Sequence, residues 1–196
     1  MLNLHHLRLT MNKQRFVKVW YSILKEIEEG LAKIDERQVG ELINSIKGAH
    51  RIFCLAAGRS KSILRMFCIR LNHLGLEAYE VGGIPCPPIT SKDILIASTG
   101  SGSTVSVLAI LKKAKEEGAK NIIITANDNQ ELRLLADKLI LITAPSGLNN
   151  RDDLRSKQLM RALFEQLVFI LQESIISILS ENMPIDDIVK RHTNLE

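Results

Sequence analysis

The sequence predicts an α/β protein: a three-layer αβα sandwich around a five-stranded, parallel sheet. Five short runs carry β-branched and other apolar residues, RIFCLAAG, EAYEVG, DILIAST, NIIITAN and KLILITA. Segments of helical character separate them, and that alternation is the mark of βαβ units with helices on both faces. Two of the strands lead into turns of Gly and hydroxyl residues, AAGRSKS and STGSGSTVS, each followed by a helix.

From Asn12 to about Ile46 the period is helical, with Phe16, Val19, Ile23, Ile27, Leu31 and Ile34 three or four apart and charges between them. Gly30 either breaks this run or is tolerated at the usual cost of a helical glycine. A second short helix, about Glu36 to Ile46, ends at Gly48. After the first strand, SKSILRMFCIRLNHLG is a helix stopped by Gly75. The second strand gives way to the proline-rich loop GIPCPPI, and the third to the helix STVSVLAILKKAKEEG. ELRLLAD, after the fourth, is a short helix or turn. Past Pro145 the polar SGLNNRDDLRSKQ reads as a surface loop. A long apolar helix then runs from about Leu159 to Leu179, and Asp186 and Asp187 open one more short helix, where the dipole favours them. Residues 1–14 read as a leader, with Met11 as an alternative start, and 15–196 as a single domain including both helical ends.

The totals narrow the function. A chain of 196 residues can bury one good core. The net charge of +4 is small, and acids and bases are interleaved, so no nucleic-acid surface is expected. Carboxylates and amides interrupt FEQLVFILQESIISILS, the nearest approach to a membrane span, so no membrane association is expected and the cytoplasm is the default location. Cys54, Cys68 and Cys86 include no C-x-x-C pair, which argues against a disulfide scaffold and a zinc site. Cys54 and Cys68 read as buried small hydrophobes and Cys86 as a loop residue. The last helix is apolar around much of its circumference. With the amphipathic first helix, this favours a helical subunit interface in a homo-oligomer, packing of the two helices on each other being the alternative.

In open parallel sheets, ligands sit beyond the carboxyl ends of the strands. The turns AAGRSKS and STGSGSTVS are placed there, and helix starts offer unpaired N–H groups at the positive end of the dipole. The hydroxyls of Thr99, Ser101, Ser103 and Thr104 are candidate phosphate ligands, with Arg59 as a forked partner. One of these hydroxyls could instead be a helix cap, but a cap uses one, not four. The lysine of a nucleotide-binding P-loop is missing and the dinucleotide glycine spacing is absent, which points to a small phosphorylated ligand. Glu165 interrupts the most apolar part of the last helix. Burial would disfavour its charge and tune it as an acid or base, unless it faces the polar loop side or pairs with an Arg across an interface. His73 reads as a partly buried helix residue, and His192 gains interest only if the tail folds onto a site. No His and acid set has metal-ligand spacing.

AAGRS, LNHLGLEAYEVG, ILIASTGSGST, AKEEGAKNIIITAN, LFEQ and IVKRHTNLE together resemble the single-domain sugar isomerase (SIS) proteins, most closely the 6-phospho-3-hexuloisomerases, over residues 15–196. The resemblance implies a flavodoxin-like or Rossmann-like SIS sandwich, a homotetramer (at least a dimer), and interconversion of 3-hexulose 6-phosphate and fructose 6-phosphate without metal or nucleotide cofactor. It also implies a place in the ribulose monophosphate route or in archaeal pentose supply. Carried over, Ser60 and the turn from Ser101 to Thr104 would bind phosphate or sugar hydroxyls, and Arg59 the sugar or developing charge. Glu165 would move the proton between C2 and C3, and His192, reaching a neighbouring subunit, would assist. The chain departs from the family's usual pattern at Ser103, at Gly83, Ile84 and Pro85, and at Leu159, Arg161 and Ala162. An altered sugar preference, or phosphosugar binding without turnover, is the alternative those departures leave open.

Overall fold

The computed structural model describes residues 13–145 and 156–195. The expected leader at 1–14 and the polar segment at 146–158 therefore lie largely outside the described residues. The elements are α1 (Lys13–Leu31), α2 (Glu36–Gly48), β1 (Ile52–Ala56), α3 (Gly58–His73), β2 (Ala78–Glu80), β3 (Ile94–Thr99), α4 (Val105–Glu116), β4 (Lys120–Thr125), α5 (Gln130–Leu135), β5 (Lys138–Leu141), α6 (Ala162–Ser180) and α7 (Ile185–Val189). The strands form one parallel sheet in the order β2-β1-β3-β4-β5. The chain steps from β1 outward to β2, returns to the other side of β1 and continues to β5. The order thus reverses between β1 and β3, the point where such sheets bind ligands.

Alternate residues of each strand face opposite layers. Cys54, Ile96 and Ile124 pack with Leu42, Phe67, Phe164 and Leu167 of α2, α3 and α6. Phe53, Leu95 and Ile123 pack with Val107, Leu111 and Leu132 of α4 and α5. Each fully buried side chain of this size contributes roughly 1.5–3 kcal/mol. A one-residue slip of β3 would turn Ile94 and Ile96 away from their layer, so the register is strongly held. That register decides which β3 hydroxyl faces which helix.

α1 runs through Gly30 without breaking. A Cβ there would sit 2.7 Å from Leu167 Cδ1, so the glycine lets α1 lie against α6. Ile27, Leu31 and Ile34 pack on the core. Phe16, Val19, Trp20 and Tyr21, in the first half of the helix, stand exposed, although the period places Phe16 and Val19 on the same stripe. α3 starts two residues earlier than expected. α6 starts three later, because Leu159–Arg161 form a turn in which Met160 has φ +54°. α6 has the length and apolarity of a membrane span, but Phe164, Leu167 and Ile175 are wholly buried in the core.

Next to the amino ends of β1 and β3, the buried Asp93 side chain accepts hydrogen bonds from Arg51 Nη2 (2.8 Å) and Nε (3.1 Å), and from Thr90 N (2.7 Å) and Oγ1 (2.8 Å). Burial alone would raise this carboxyl, but the Arg51 and Thr90 donors outweigh it and hold it well below the usual range. Cys54 and Cys68 are both buried in the α3 layer, as expected. The hydrogen bond with Cys68, then burial, pushes the Cys54 thiol up, away from thiolate chemistry.

Candidate active site

β1 and β3 end side by side, with Ala56 opposite Ser98, and each hands the chain to a helix start. Ala57, the N-cap of α3, has no side-chain oxygen. Thr104 is the N-cap of α4, yet its hydroxyl makes no capping bond. Two helix starts without side-chain caps therefore border one cavity, accompanied by the hydroxyls of Ser60 and Thr104. Such starts present N–H groups and the positive dipole end to an anion. The cavity has a volume of about 450 Å³, and the segment entering α6 (Leu159 to Ala162, with Glu165) forms its remaining wall.

The turn STGSGST is built from inside and latched from outside. Thr99 Oγ1 accepts from Gly102 N at 3.2 Å, and Ser101 Oγ from Ser103 N at 3.4 Å. From the turn after β4, Asn127 Nδ2 donates to the Ser101 carbonyl (2.9 Å) and Asn129 Nδ2 to that of Gly102 (3.2 Å). Gly102 has φ +66°, and a Cβ there would lie 2.7 Å from both Asn129 Nδ2 and Leu132 Cδ1. Only glycine meets both conditions without displacing a neighbour.

Glu165 lies in the first turn of α6 and is 8% exposed. Its Oε2 accepts a hydrogen bond from Arg59 Nε at 2.7 Å. Of the arrangements the sequence left open, the structure takes the arginine pair, and makes it within one chain. The Arg59 side chain is 79% exposed, so this pair contributes more to orientation than to stability. A carboxylate is thereby fixed on the wall of the cavity that the starts of α3 and α4 also line.

The structure thus brings together Arg59, Ser60, Thr99, Thr104 and Glu165. Thr99 serves the turn with its hydroxyl, while Ser101 and Ser103 lie outside the cavity lining. His192 is not at the cavity of its own chain. It packs against His73, ring centroids 5.1 Å apart, in a groove with Arg70 and Ile188. Gly83, Ile84 and Pro85 follow the edge strand β2 and do not line the cavity, Ile84 being fully exposed. Leu159, Arg161 and Ala162 do line it. Sequence reasoning missed the Asn127 and Asn129 latches, whose signal was an Asn-Asp-Asn run directly after a strand. It also missed Ser98, a hydroxyl within a buried strand. Among the described residues no three His, Cys, Asp or Glu side chains gather where a metal ion could sit.

A doubly wound parallel sheet with two helix starts at its switch point and a carboxylate on the facing helix defines the class, and residues 45–168 match the family model of the SIS domain. The chain belongs to that family. Within it, the chain is 34% identical over 173 residues to a 3-hexulose-6-phosphate isomerase of Mycobacterium gastri, covering 87% of this chain and 86% of that one. It is 31% identical to the 3-hexulose-6-phosphate isomerase of Bacillus subtilis, over 89% of this chain and 95% of that one. A crystal structure from Methanococcus jannaschii, from which a 3-hexulose-6-phosphate isomerase function was inferred, superposes with a TM-score of 0.77 at 32% identity, covering 93% of this chain and 99% of that one.

Proposed function

We propose that this chain is an isomerase interconverting 3-hexulose 6-phosphate and fructose 6-phosphate. The observation that carries this is one cavity lined both by the starts of α3 and α4, which carry no side-chain caps, and by the Arg59-oriented carboxylate of Glu165. Relatives bearing this activity by name, matched over most of their length, support the choice of substrate.

The phosphate sits at the two helix starts, taking N–H donors there and the hydroxyls of Ser60 and Thr104. This anchorage presents the C2–C3 bond to Glu165. From the 3-hexulose, the carboxylate removes the C2 proton, and the electron pair moves to the C3 carbonyl oxygen, giving a 2,3-enediolate. Glu165 returns its proton to C3 while the C2 hydroxyl proton passes to the C3 oxyanion, which yields the C2 ketone and C3 hydroxyl of fructose 6-phosphate and restores the carboxylate. The base must lie within hydrogen-bond reach, and the Arg59 guanidinium supplies charge where the oxyanion develops.

His192 serves a neighbouring copy's cavity in this reading, and the protein works as a homo-oligomer, a dimer at least and a tetramer by family habit. Support comes from the exposed apolar side chains around the His73–His192 groove, Met66, Ile69, Phe169 and Val189, and from those on α1. The protein acts in the cytoplasm, in the ribulose monophosphate route or its archaeal counterpart. Purified chain supplied with 3-hexulose 6-phosphate should form fructose 6-phosphate, detected by enzymatic coupling. Binding of the phosphosugar with no product in either direction would count against the assignment.

A further inference from the structure

We infer that the Ser98 hydroxyl is a sugar-oxygen contact that sets which ketose phosphate the cavity accepts. This rests on the phosphosugar reading above and adds a residue to it. Ser98 is 1% exposed, lines the cavity, and its Oγ has no hydrogen-bond partner among the described residues. Strand parity puts it on the side of Ile94 and Ile96, in the layer that contains Phe164 of α6, the neighbour of Glu165. Its register partners on either side are Ala56 of β1 and Ile124 of β4, which have no side-chain donor or acceptor. Thr99, the next residue, faces the other layer and closes the turn.

A buried hydroxyl without a partner is unfavourable, and such groups are rare enough to require a reason. No group among the described residues bonds to this one. The hydroxyls of Ser60 and Thr104 stand at helix starts, where an anion is held; Ser98 stands on the strand, with apolar neighbours. One O–H donor and two acceptor lone pairs in such surroundings match a neutral hydroxyl or carbonyl oxygen better than a phosphate. A site that reserves a buried polar group for one substrate oxygen discriminates strongly against ligands that lack it.

The test compares wild type with Ser98→Ala, using fructose 6-phosphate and inorganic phosphate as calorimetric probes. In the variant, fructose 6-phosphate should bind roughly 2- to 13-fold more weakly, the worth of one hydrogen bond. Phosphate affinity should be unchanged, and the ligand-free melting temperature equal or higher, because no protein bond is lost. In wild type, one deoxy analogue of fructose 6-phosphate should lose affinity by the same factor and be insensitive to the substitution. Unchanged fructose 6-phosphate affinity would overturn the inference. So would a parallel loss of phosphate affinity with a lower melting temperature, which marks a structural role. Wild type that binds fructose 6-phosphate without turnover sinks the isomerase reading, and the affinity comparison still decides Ser98. Wild type that binds no phosphosugar overturns both.

Discussion

Replacing Gly102 with Ala should damage the protein, whereas the same exchange at Gly40 should improve it. At φ +66°, alanine adopts the left-handed region at a cost of about 1–2 kcal/mol. Its Cβ would lie 2.7 Å from Asn129 Nδ2 and Leu132 Cδ1. Relief requires Asn129 to move, and that side chain both donates to the Gly102 carbonyl and caps α5 at Leu132 N. Losing one such bond costs about 1 kcal/mol. The stiffer unfolded chain returns roughly 0.4–1 kcal/mol. The net is a destabilisation of about 1–2.5 kcal/mol, or a melting temperature lower by about 2–10 °C for a chain of this size. Gly40 lies inside α2, and a Cβ at that position would meet no heavy atom within 4 Å. There, alanine should add about 0.5–1 kcal/mol from helix propensity alone. Calorimetric melting of both variants is the assay. Phosphosugar affinity should fall about tenfold or more in Gly102→Ala only, the worth of one hydrogen bond to a charged group. A Gly102→Ala protein melting at or above wild type, or both variants shifting the same way, would refute the reasoning.

Asp93→Asn should cost about 2–4 kcal/mol near neutrality, because it strips a buried partner from Arg51. The Asp93 carboxyl is held low in the folded state, so its contribution is complete above the unfolded carboxylate range near pH 4 and fades as pH falls through the folded value. Urea midpoints at pH 7 and pH 3 should therefore differ less in the variant; an equal difference argues against this origin. Glu165→Gln and His192→Ala should each be inactive alone. Denatured and refolded in equal mixture as dimers, they should recover about a quarter of the wild-type rate, since half the dimers are mixed and each carries one intact site. No recovery while hetero-oligomers form would place His192 outside the neighbour's site. Trp20→Lys with Tyr21→Lys should reduce the sedimenting mass without changing helix content; an unchanged mass would exclude this face of α1 as an interface.

The sheet was legible because each strand is a short β-branched run, and each helix between strands ends at a glycine or a polar turn. Strand order was not stated by the runs themselves. It follows from which layer each helix covers, a tertiary property. The pairing of two Gly and hydroxyl turns revealed the site, since two adjacent helix starts bear the same composition. Its allocation of roles was less legible. Whether a hydroxyl in STGSGST faces the ligand, the turn or solvent depends on strand parity and on latches from Asn127 and Asn129, which lie 26 and 27 residues from their acceptors in sequence. Glu165 stood out as a carboxylate in an apolar helix, but its partner Arg59 lies 106 residues away. Ser98 was passed over because one hydroxyl in a buried strand reads as filler until its partners can be counted.

The most direct measurement is solvent deuterium incorporation at C3 of fructose 6-phosphate, followed by NMR for wild type and Glu165→Gln. Wild type should exchange that proton while forming the 3-hexulose isomer. The Gln variant should lose the exchange by at least about a hundredfold, the contribution of a positioned base, with fructose 6-phosphate affinity largely kept. Exchange at the wild-type rate in Glu165→Gln, or none in a wild-type protein saturated with fructose 6-phosphate, would contradict a proton transfer carried by Glu165.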